Sequence, residues 1–366
     1  MFKRPVLLLI VILAAVALVA CGTTAAPTTA PAPAATAVPA APATATPVPP
    51  PPTKVPQKII ESYIPSGNAT QILAAAKDLD KLISNKTGYV LESSVSTSFA
   101  ATVEGMCSGK VDVGWLNPLS YVVAKDKCGV ELMLITVRVQ SPTNVCPPGK
   151  DVCFTYRSQI IFNVEKNPDL AKLAADPKAT VKDKILALKG KKFAFGDPLS
   201  TSGNLYARDI LTKNGLDPAK DFAEVTSLGS HNNVALAVLK GTVDAGATFE
   251  DVRTGLVKDN PDIMTKTAQL TFSDEIPNDT VSVRKDLDPQ VKANFKRALL
   301  EVSTTDDGKK ALDSTYQIYG FADGRDALFD PIRVIAKALG LNLEQAIQPR
   351  PTNTPGAPAA TPTKAP

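Results

Sequence analysis

Three hydroxyl side chains and a glycine lie together where an apolar segment gives way to a predicted helix. The segment KKFAFGD has the pattern of a buried strand, and DPLSTSG after it contains Ser200, Thr201, Ser202 and Gly203. Hydroxyls and backbone N–H groups at a helix start attract anions, because the helix dipole places partial positive charge there. Gly203 would let a bulky tetrahedral anion approach the main chain. The stretch predicts a site for a phosphate-like group; the alternative is that Ser200 or Ser202 only caps the helix.

The chain's single histidine follows this turn. His231 lies in the polar loop GSHNN, which opens the predicted helix NVALAVLKG. An imidazole can donate to a phosphoryl oxygen, and a bound anion would raise its pKa. We interpret His231 as a second ligand-binding residue, and the alternative is a capping or surface histidine.

The order of four segments carries a family resemblance. FGDPLSTSG, GSHNNVALAV, GTVDAGATFEDV and IPNDTVSVRKDLD, in that order, resemble the phosphate-, phosphite- and phosphonate-binding (PhnD-like) family of substrate-binding proteins that serve ABC importers. The resemblance implies a two-lobe α/β periplasmic-binding-protein fold of type II, the Venus-flytrap fold, with parallel-rich sheets and a two-strand hinge. It also implies a small phosphorus-oxyanion ligand, an ABC permease as partner, no cofactor and no catalytic activity.

Two acidic residues fall on positions where the resemblance implies contact with a ligand ammonium group. These are Asp251 and Asp279. A carboxylate beside a phosphonate is unfavourable unless a cation lies between them, so both residues facing the cleft would imply a ligand with an amine, such as an aminoalkylphosphonate. The alternative for Asp251 is a solvated helix start, shared with Glu250.

Two aromatic positions depart from the aminoalkylphosphonate-binding pattern. Phe99 and Leu116 stand where that pattern has tyrosines, so two phenolic donors are missing. Tyr121 either replaces one of them or packs within the first lobe. These differences leave the phosphorus-oxyanion class in place and the particular ligand open.

Two other functions compete with this interpretation. A secreted hydrolase would use Ser200 or Ser202 with His231 and either Asp244 or Asp251. No Gly-x-Ser-x-Gly elbow surrounds these serines, so we expect no enzyme. The other alternative is a sensory or presenting lipoprotein with the same fold.

Strands and helices alternate along the folded part, which is typical of parallel sheets covered by helices. KIIESYIP, YVLESSV and VDVGWL are predicted strands, and apolar residues at helical spacing fill the segment from Asn68 to Gly88. The pattern GxVDxG occurs twice, from Gly109 to Gly114 and from Gly241 to Gly246. Because each copy follows an apolar helix, the repeat favours two related lobes.

Two β-rich segments are predicted to cross between the lobes. QIIFNVEKN leads into the second lobe, and TFSDEIPNDTVSVRKDL returns from it. We therefore assign lobe 1 to residues 57–157 and 276–348, with helices at 290–302 and 330–339, and lobe 2 to residues 158–275. The ligand would lie in the cleft where strand ends and helix N-termini converge.

The two ends of the chain predict a tethered extracytoplasmic protein. Residues 1–20 have the charged and apolar regions of a signal peptide, and Leu-Val-Ala before Cys21 resembles a lipobox, which predicts a lipidated Cys21. The alternative is an ordinary signal peptide with a chance cysteine. Residues 21–56 form an Ala/Thr/Pro-rich tether, and residues 349–366 form a predicted disordered tail of similar composition.

The remaining four cysteines are predicted to form two disulfides. Outside the cytoplasm, disulfides are the preferred interpretation, and of three connectivities we favour Cys146 with Cys153 and Cys107 with Cys128. Cys146 and Cys153 flank a Pro-Pro-Gly turn, and the lack of CxxC spacing argues against the alternative of a metal site.

The chain has a net charge of +4 but no cluster of basic residues interleaved with aromatics, so nucleic-acid binding is not expected. We expect a monomer.

Overall fold

The computed structural model describes residues 57–141, 146–250 and 252–341. The predicted signal peptide, Cys21, the tether, Asp251 and the tail all lie outside these residues. None of the helices in the described ranges has the length and apolar character that crossing a bilayer requires.

The described residues form two mixed sheets and the helices that cover them. The strands are β1 (Lys58–Tyr63), β2 (Val90–Val95), β3 (Val113–Leu116), β4 (Glu131–Val139), β5 (Val152–Cys153), β6 (Thr155–Asn163), β7 (Lys192–Phe195), β8 (Glu224–Ser227), β9 (Ala245–Phe249), β10 (Thr267–Pro277), β11 (Thr280–Val283) and β12 (Gly320–Ala322). The helices are α1 (Ala69–Thr87), α2 (Phe99–Cys107), α3 (Pro118–Cys128), α4 (Pro168–Ala175), α5 (Val181–Leu186), α6 (Ala207–Lys213), α7 (His231–Lys240), α8 (Ile263–Lys266), α9 (Pro289–Val302), α10 (Asp306–Tyr316) and α11 (Asp330–Ala338). A π-helical turn, Thr201–Tyr206, precedes α6, and short 3-10 turns lie at Thr254–Leu256 and Asp326–Phe329.

In each sheet three parallel strands at one end are extended by antiparallel strands at the other. The first sheet has the order β12-β4-β11-β3-β1-β2, with β5 pairing with β4, and β1 runs parallel to β2 and β3. The second has the order β10-β6-β9-β7-β8, and β7 runs parallel to β8 and β9. Parallel neighbours need a crossover connection, which the helices between them provide.

The helix predicted after Asn68 begins and ends as its sequence indicates. The Asn68 side chain accepts hydrogen bonds from the first-turn N–H groups, and Gly88 ends α1 with a left-handed φ of 71°. Ile72, Leu79 and Ile83 recur at helical spacing and are buried. The cap, the apolar face and the glycine stop therefore all specify the same element.

The two GxVDxG copies occupy equivalent places. Asp112 Oδ2 accepts the backbone N–H of Ile60 at 2.8 Å, and Asp244 Oδ2 accepts the backbone N–H of Lys192 at 2.8 Å. In each copy the aspartate comes just before a strand, β3 or β9. It accepts a hydrogen bond from the parallel strand that pairs with that strand, β1 or β7. The repeat is thus an architectural one, because the same bond closes a βαβ unit in both sheets.

Two long strands connect the sheets. β6 and β10 pair antiparallel along their lengths, from Thr155 opposite Pro277 to Asn163 opposite Thr267. The chain returns from β10 to β11 through Asn278, whose side-chain amide donates to the carbonyls of Thr136 and Cys153. This return connection fixes the position of Asp279.

The four cysteines within the described residues form the two favoured pairs. Cys107–Cys128 joins the C-terminal ends of α2 and α3, and Cys146–Cys153 closes a short loop at β5. Cys153 lies opposite Arg138 in the pairing of β5 with β4.

Candidate functional site

A cavity of about 210 Å³ lies where the return connection meets several helix starts. Its volume suits a small ligand. Predicted site residues in its wall are Ser200, Ser202, His231, Asp279 and Phe99. Other residues in the wall include Ile64, Ser66, Gly67, Asn68, Gln71, Asn117, Arg138, Tyr156, Asn232, Phe249, Asp313, Tyr316 and Gln317.

Helix N-termini surround the cavity. Asn68 caps α1, Asn117 caps α3, Ser200 caps the π-helical turn, and α7 begins at His231. All four residues are in the wall. Each N-terminus contributes partial positive charge, so the cavity favours an anion before any side-chain charge is considered.

Ser200 and His231 are in contact at the centre of this wall. Ser200 Oγ accepts the N–H of Gly203 at 3.0 Å and lies 3.3 Å from His231 Nε2. A Cβ on residue 203 would come within 2.9 Å of His231 Cε1, so glycine is needed for this contact. Ser200 therefore has both roles that were considered from sequence: it caps the turn, and it faces the cavity.

His231 is a neutral side chain with an unused ring nitrogen. Burial, and then the charge of Arg138, lower its pKa from 6.5 to about 4. Nδ1 is buried and has no hydrogen-bond partner. When Nε2 accepts the Ser200 hydroxyl, Nδ1 carries the ring proton and needs an acceptor. This pKa is that of His231 without a ligand, and the prediction that a bound anion raises it concerns the ligand-bound protein.

The other hydroxyls of the turn have different surroundings. Thr201 Oγ1 accepts the N–H of Leu119, at the start of α3, at 2.9 Å, and Thr201 is not in the cavity wall. Ser202 is in the wall, and its carbonyl accepts the Ser158 hydroxyl at 2.7 Å. Gly203 is not among the wall residues. The turn thus directs Ser200 and Ser202 at the cavity and uses Thr201 to contact α3.

Asp279 is in the wall but already has a cationic partner. Arg138 Nη2 lies 3.0 Å from Asp279 Oδ2, and both side chains are largely buried. Burial raises the pKa of Asp279, and the Arg138 guanidinium opposes that rise. Arg138 also lies over the Tyr156 ring, 5.5 Å from its centroid, and its Nε has no hydrogen-bond partner.

The aromatic residues of the site differ from the sequence-based expectation. Phe99 lines the cavity, Leu116 is fully buried in the core, and Tyr121 lies outside the wall with its hydroxyl donating to Asp326 at 2.8 Å. Tyr156, at the start of β6, supplies a phenol instead. Burial raises the pKa of Tyr156, so its hydroxyl keeps its proton at neutral pH.

Sequence reasoning missed Arg138, Tyr156 and Asn117. Arg138 had a usable signal, since it is the single charge inside the apolar run LMLITVRV, and a buried charge usually has a partner or a function. Tyr156 and Asn117 had none, because only the crossing of β6 and the start of α3 bring them to the cavity.

Within the described part of the chain, no aspartate is placed to orient His231 as the hydrolase alternative requires. Asp244 accepts the backbone N–H of Lys192, away from the cavity wall, and no carboxylate bonds His231 Nδ1. Asp251 lies outside the described residues. Within residues 57–141, 146–250 and 252–341, no group of His, Cys, Asp or Glu is arranged to hold a metal ion.

Comparisons with known proteins agree on one family. Residues 62–329 match the model described as "ABC transporter, phosphonate, periplasmic substrate-binding protein". The chain is similar to the phosphate-import protein PhnD of Mycolicibacterium smegmatis, 26% identical over 307 residues that cover 78% of this chain and 87% of that protein. It is also similar to the phosphonates-binding periplasmic protein of Escherichia coli, 26% identical over 264 residues, 71% of this chain and 69% of that protein. Its structure is similar to that of PhnD1 from Prochlorococcus marinus in complex with methylphosphonate, with a TM-score of 0.67 and 19% identity over 78% of this chain and 100% of that one.

Proposed function

The chain belongs to the phosphonate-binding family of ABC transporter periplasmic substrate-binding proteins, and we propose that it is a lipid-anchored receptor that captures a small phosphorus oxyanion in the cavity at Ser200 and His231. Membership confirms the family that the order of its motifs indicates. The chain is therefore an extracytoplasmic binding component of a phosphonate or phosphate importer, not an enzyme.

The predicted fold class is also confirmed. Two helix-covered mixed sheets, each with three parallel strands, and the structural similarity to PhnD1 identify a two-lobe fold of type II. We assign lobe 1 to residues 57–157 and 276–348 and lobe 2 to residues 158–275, and β6 and β10 would act as the hinge. The distribution of strands between the two sheets supports these bounds.

One observation carries the proposed ligand class: a buried cluster of hydroxyl groups lies beside a histidine ring nitrogen, Nδ1 of His231, that has no hydrogen-bond partner. Ser200, Ser202 and His231 line one side of the cavity, the Tyr156 phenol lies nearby, and His231 Nδ1 has no partner. A tetrahedral oxyanion supplies several oxygen acceptors at once, and the helix N-termini favour its charge. The names of the curated relatives, phosphate import and phosphonate binding, support the same class.

Binding measurements test this ligand class. Calorimetry of the purified full chain with phosphate, phosphite and methylphosphonate is expected to show binding of at least one, and saturation at one hundred times the dissociation constant should stabilise the fold by about 2.7 kcal/mol. His231→Ala and Ser202→Ala should weaken that binding. Ser93→Ala is a matched control, because Ser93 bonds to Asp80 and is not in the cavity wall. Absence of binding to all three anions would overturn the proposal.

The proposed anchor depends on Cys21 and has a separate test. The lipobox-like Leu-Val-Ala-Cys sequence supports lipidation, and the tether after it would hold the lobes away from the membrane. A radiolabelled fatty acid should label the full chain expressed in a bacterium, and Cys21→Ser should abolish the label and release the protein from the membrane fraction. Labelling that persists in Cys21→Ser would contradict the anchor.

A further inference from the structure

The interior of the cavity contains a carboxylate whose charge is already balanced. Of the two acidic residues among the described residues of the wall, Asp313 is exposed, and Asp279 is largely buried and bonded to Arg138. A ligand ammonium group needs an uncompensated carboxylate when it enters a buried site, since an unpaired buried charge is strongly unfavourable. Within the described part of the cavity interior, Asp279 is the carboxylate available for that role, and it is already paired with Arg138.

The geometry points to Arg138 as a specificity-determining residue: we propose that its pairing with Asp279 makes the receptor select amine-free phosphorus oxyanions over aminoalkyl ones. This inference rests on the proposed function, because it takes a phosphorus oxyanion as the ligand.

The charge distribution gives the physical reason. An ammonium group at the remaining oxygen of Asp279 would lie within a few ångströms of the Arg138 guanidinium, so repulsion would offset most of the attraction. An amine-free ligand meets a neutral pair, neutral His231, and polar donors. The buried Nε of Arg138 and Nδ1 of His231 lack acceptors, and an oxyanion supplies acceptors where an ammonium supplies only donors.

Arg138 is held so that it cannot easily leave this position. It lies on β4 opposite Cys153 of β5, its guanidinium lies over the Tyr156 ring, and it is 6% exposed. Asp279 is fixed by the return connection, where its carbonyl accepts the N–H of Thr136 on β4. The pair is therefore built into adjacent strands and does not depend on a flexible surface side chain.

Two phosphonates of nearly equal size provide the test. Propylphosphonate and 2-aminoethylphosphonate differ at one terminal group, a methyl in the first and an ammonium in the second. Calorimetry of the full chain is expected to show that propylphosphonate binds at least about tenfold more tightly. Arg138→Gln exposes the Asp279 carboxylate to the ligand and should reduce or reverse this ratio, whereas Arg138→Lys keeps the cation and should retain it.

Arg157→Gln is the matched control, since Arg157 pairs with the buried Glu250 outside the cavity wall. Its ratio of propylphosphonate to 2-aminoethylphosphonate affinity should equal that of the wild type. Two results overturn this inference and leave the proposed function standing. One is a wild-type preference for 2-aminoethylphosphonate. The other is an Arg138→Gln variant that melts cooperatively and keeps the wild-type ratio of propylphosphonate to 2-aminoethylphosphonate affinity. If Arg138→Gln does not fold, an Arg138→Lys ratio that differs from wild type overturns it. Failure of phosphate, phosphite, methylphosphonate and propylphosphonate to bind at all overturns the proposed function as well.

Discussion

His231 shows how burial determines what a single residue can do. At neutral pH its ring is uncharged, because burial and the nearby Arg138 charge lower its pKa to about 4. A neutral imidazole recognises a phosphorus oxyanion as a hydrogen-bond donor rather than as a cation. In the proposed binding, the contribution of His231 therefore depends on where its N–H points and not on a charge.

The lowered pKa of His231 predicts a pH dependence of stability. The unfolded chain binds a proton at His231 below about pH 6.5, whereas the folded protein binds it only near pH 4. This residue's contribution is therefore complete above pH 6.5 and is lost as pH falls towards 4, by at most about 3 kcal/mol. Chemical denaturation of the ligand-free protein and of His231→Asn over this range should show that loss in the wild type alone.

Glu61 makes the comparison with a variant necessary. Burial raises its pKa to about 8, so it destabilises the folded protein as pH rises from about 4.5 to 8, which is the opposite trend. Glu61 is present in both proteins, and its effect cancels in their difference. A difference curve that stays flat between pH 6.5 and 4 would contradict the buried, neutral state of His231.

At the scale of elements, two buried hydrogen bonds join the start of α3 to the π-helical turn and the residues just before it. Leu119 N–H donates to Thr201 Oγ1, and Asn117 Nδ2 donates to the Leu199 carbonyl, so the start of α3 in the proposed lobe 1 contacts the proposed anion-binding turn of lobe 2. We expect these bonds to belong to the closed arrangement of the proposed lobes. Thr201 would then act on ligand binding although it lies outside the cavity wall.

Thr201→Val tests this coupling. The substitution leaves the buried N–H of Leu119 without an acceptor in the closed form, at a cost of about 1–3 kcal/mol. The dissociation constant for the oxyanion should rise by about 5- to 150-fold, while the melting temperature of the ligand-free protein changes little. Thr201→Ser retains the hydroxyl and should bind like the wild type. Equal affinities of the Val and Ser variants would show that the bond does not stabilise closure.

The elements themselves were largely predictable, and the completed site was not. α1 has a cap at Asn68 and a stop at Gly88, and the GxVDxG copies mark two strands because local chemistry specifies each one. Ser200 and His231 carry a local signal too, as hydroxyl and imidazole groups at helix starts. Arg138 and Tyr156 reach the cavity only through the pairing of β4 and the crossing of β6, which join residues far apart in sequence. Such pairing depends on tertiary structure, so no window of sequence contains it.

At the scale of the whole molecule, the two disulfides have unequal relations to the cavity. Cys107–Cys128 joins two helix ends, with a separation of 21 residues, whereas Cys146–Cys153 has a separation of 7 and lies beside the site. Cys153 is opposite Arg138 in the β4–β5 pairing, and its carbonyl accepts the Asn278 amide next to Asp279. The shorter loop thus positions both members of the buried ion pair.

This difference predicts that loss of the Cys107–Cys128 disulfide lowers the stability more, whereas loss of the Cys146–Cys153 disulfide lowers the ligand affinity more. Chain entropy gives about 3.4 kcal/mol for the longer loop and about 2.5 kcal/mol for the shorter one, so Cys107→Ser/Cys128→Ser should be the less stable double variant in denaturant titrations. Cys146→Ser/Cys153→Ser should lose more affinity for the oxyanion, because Arg138 and Asp279 lose their shared support. The ratio of propylphosphonate to 2-aminoethylphosphonate affinity should fall in that variant alone. The same order for stability and affinity would mean that the short loop supports the fold without positioning the pair.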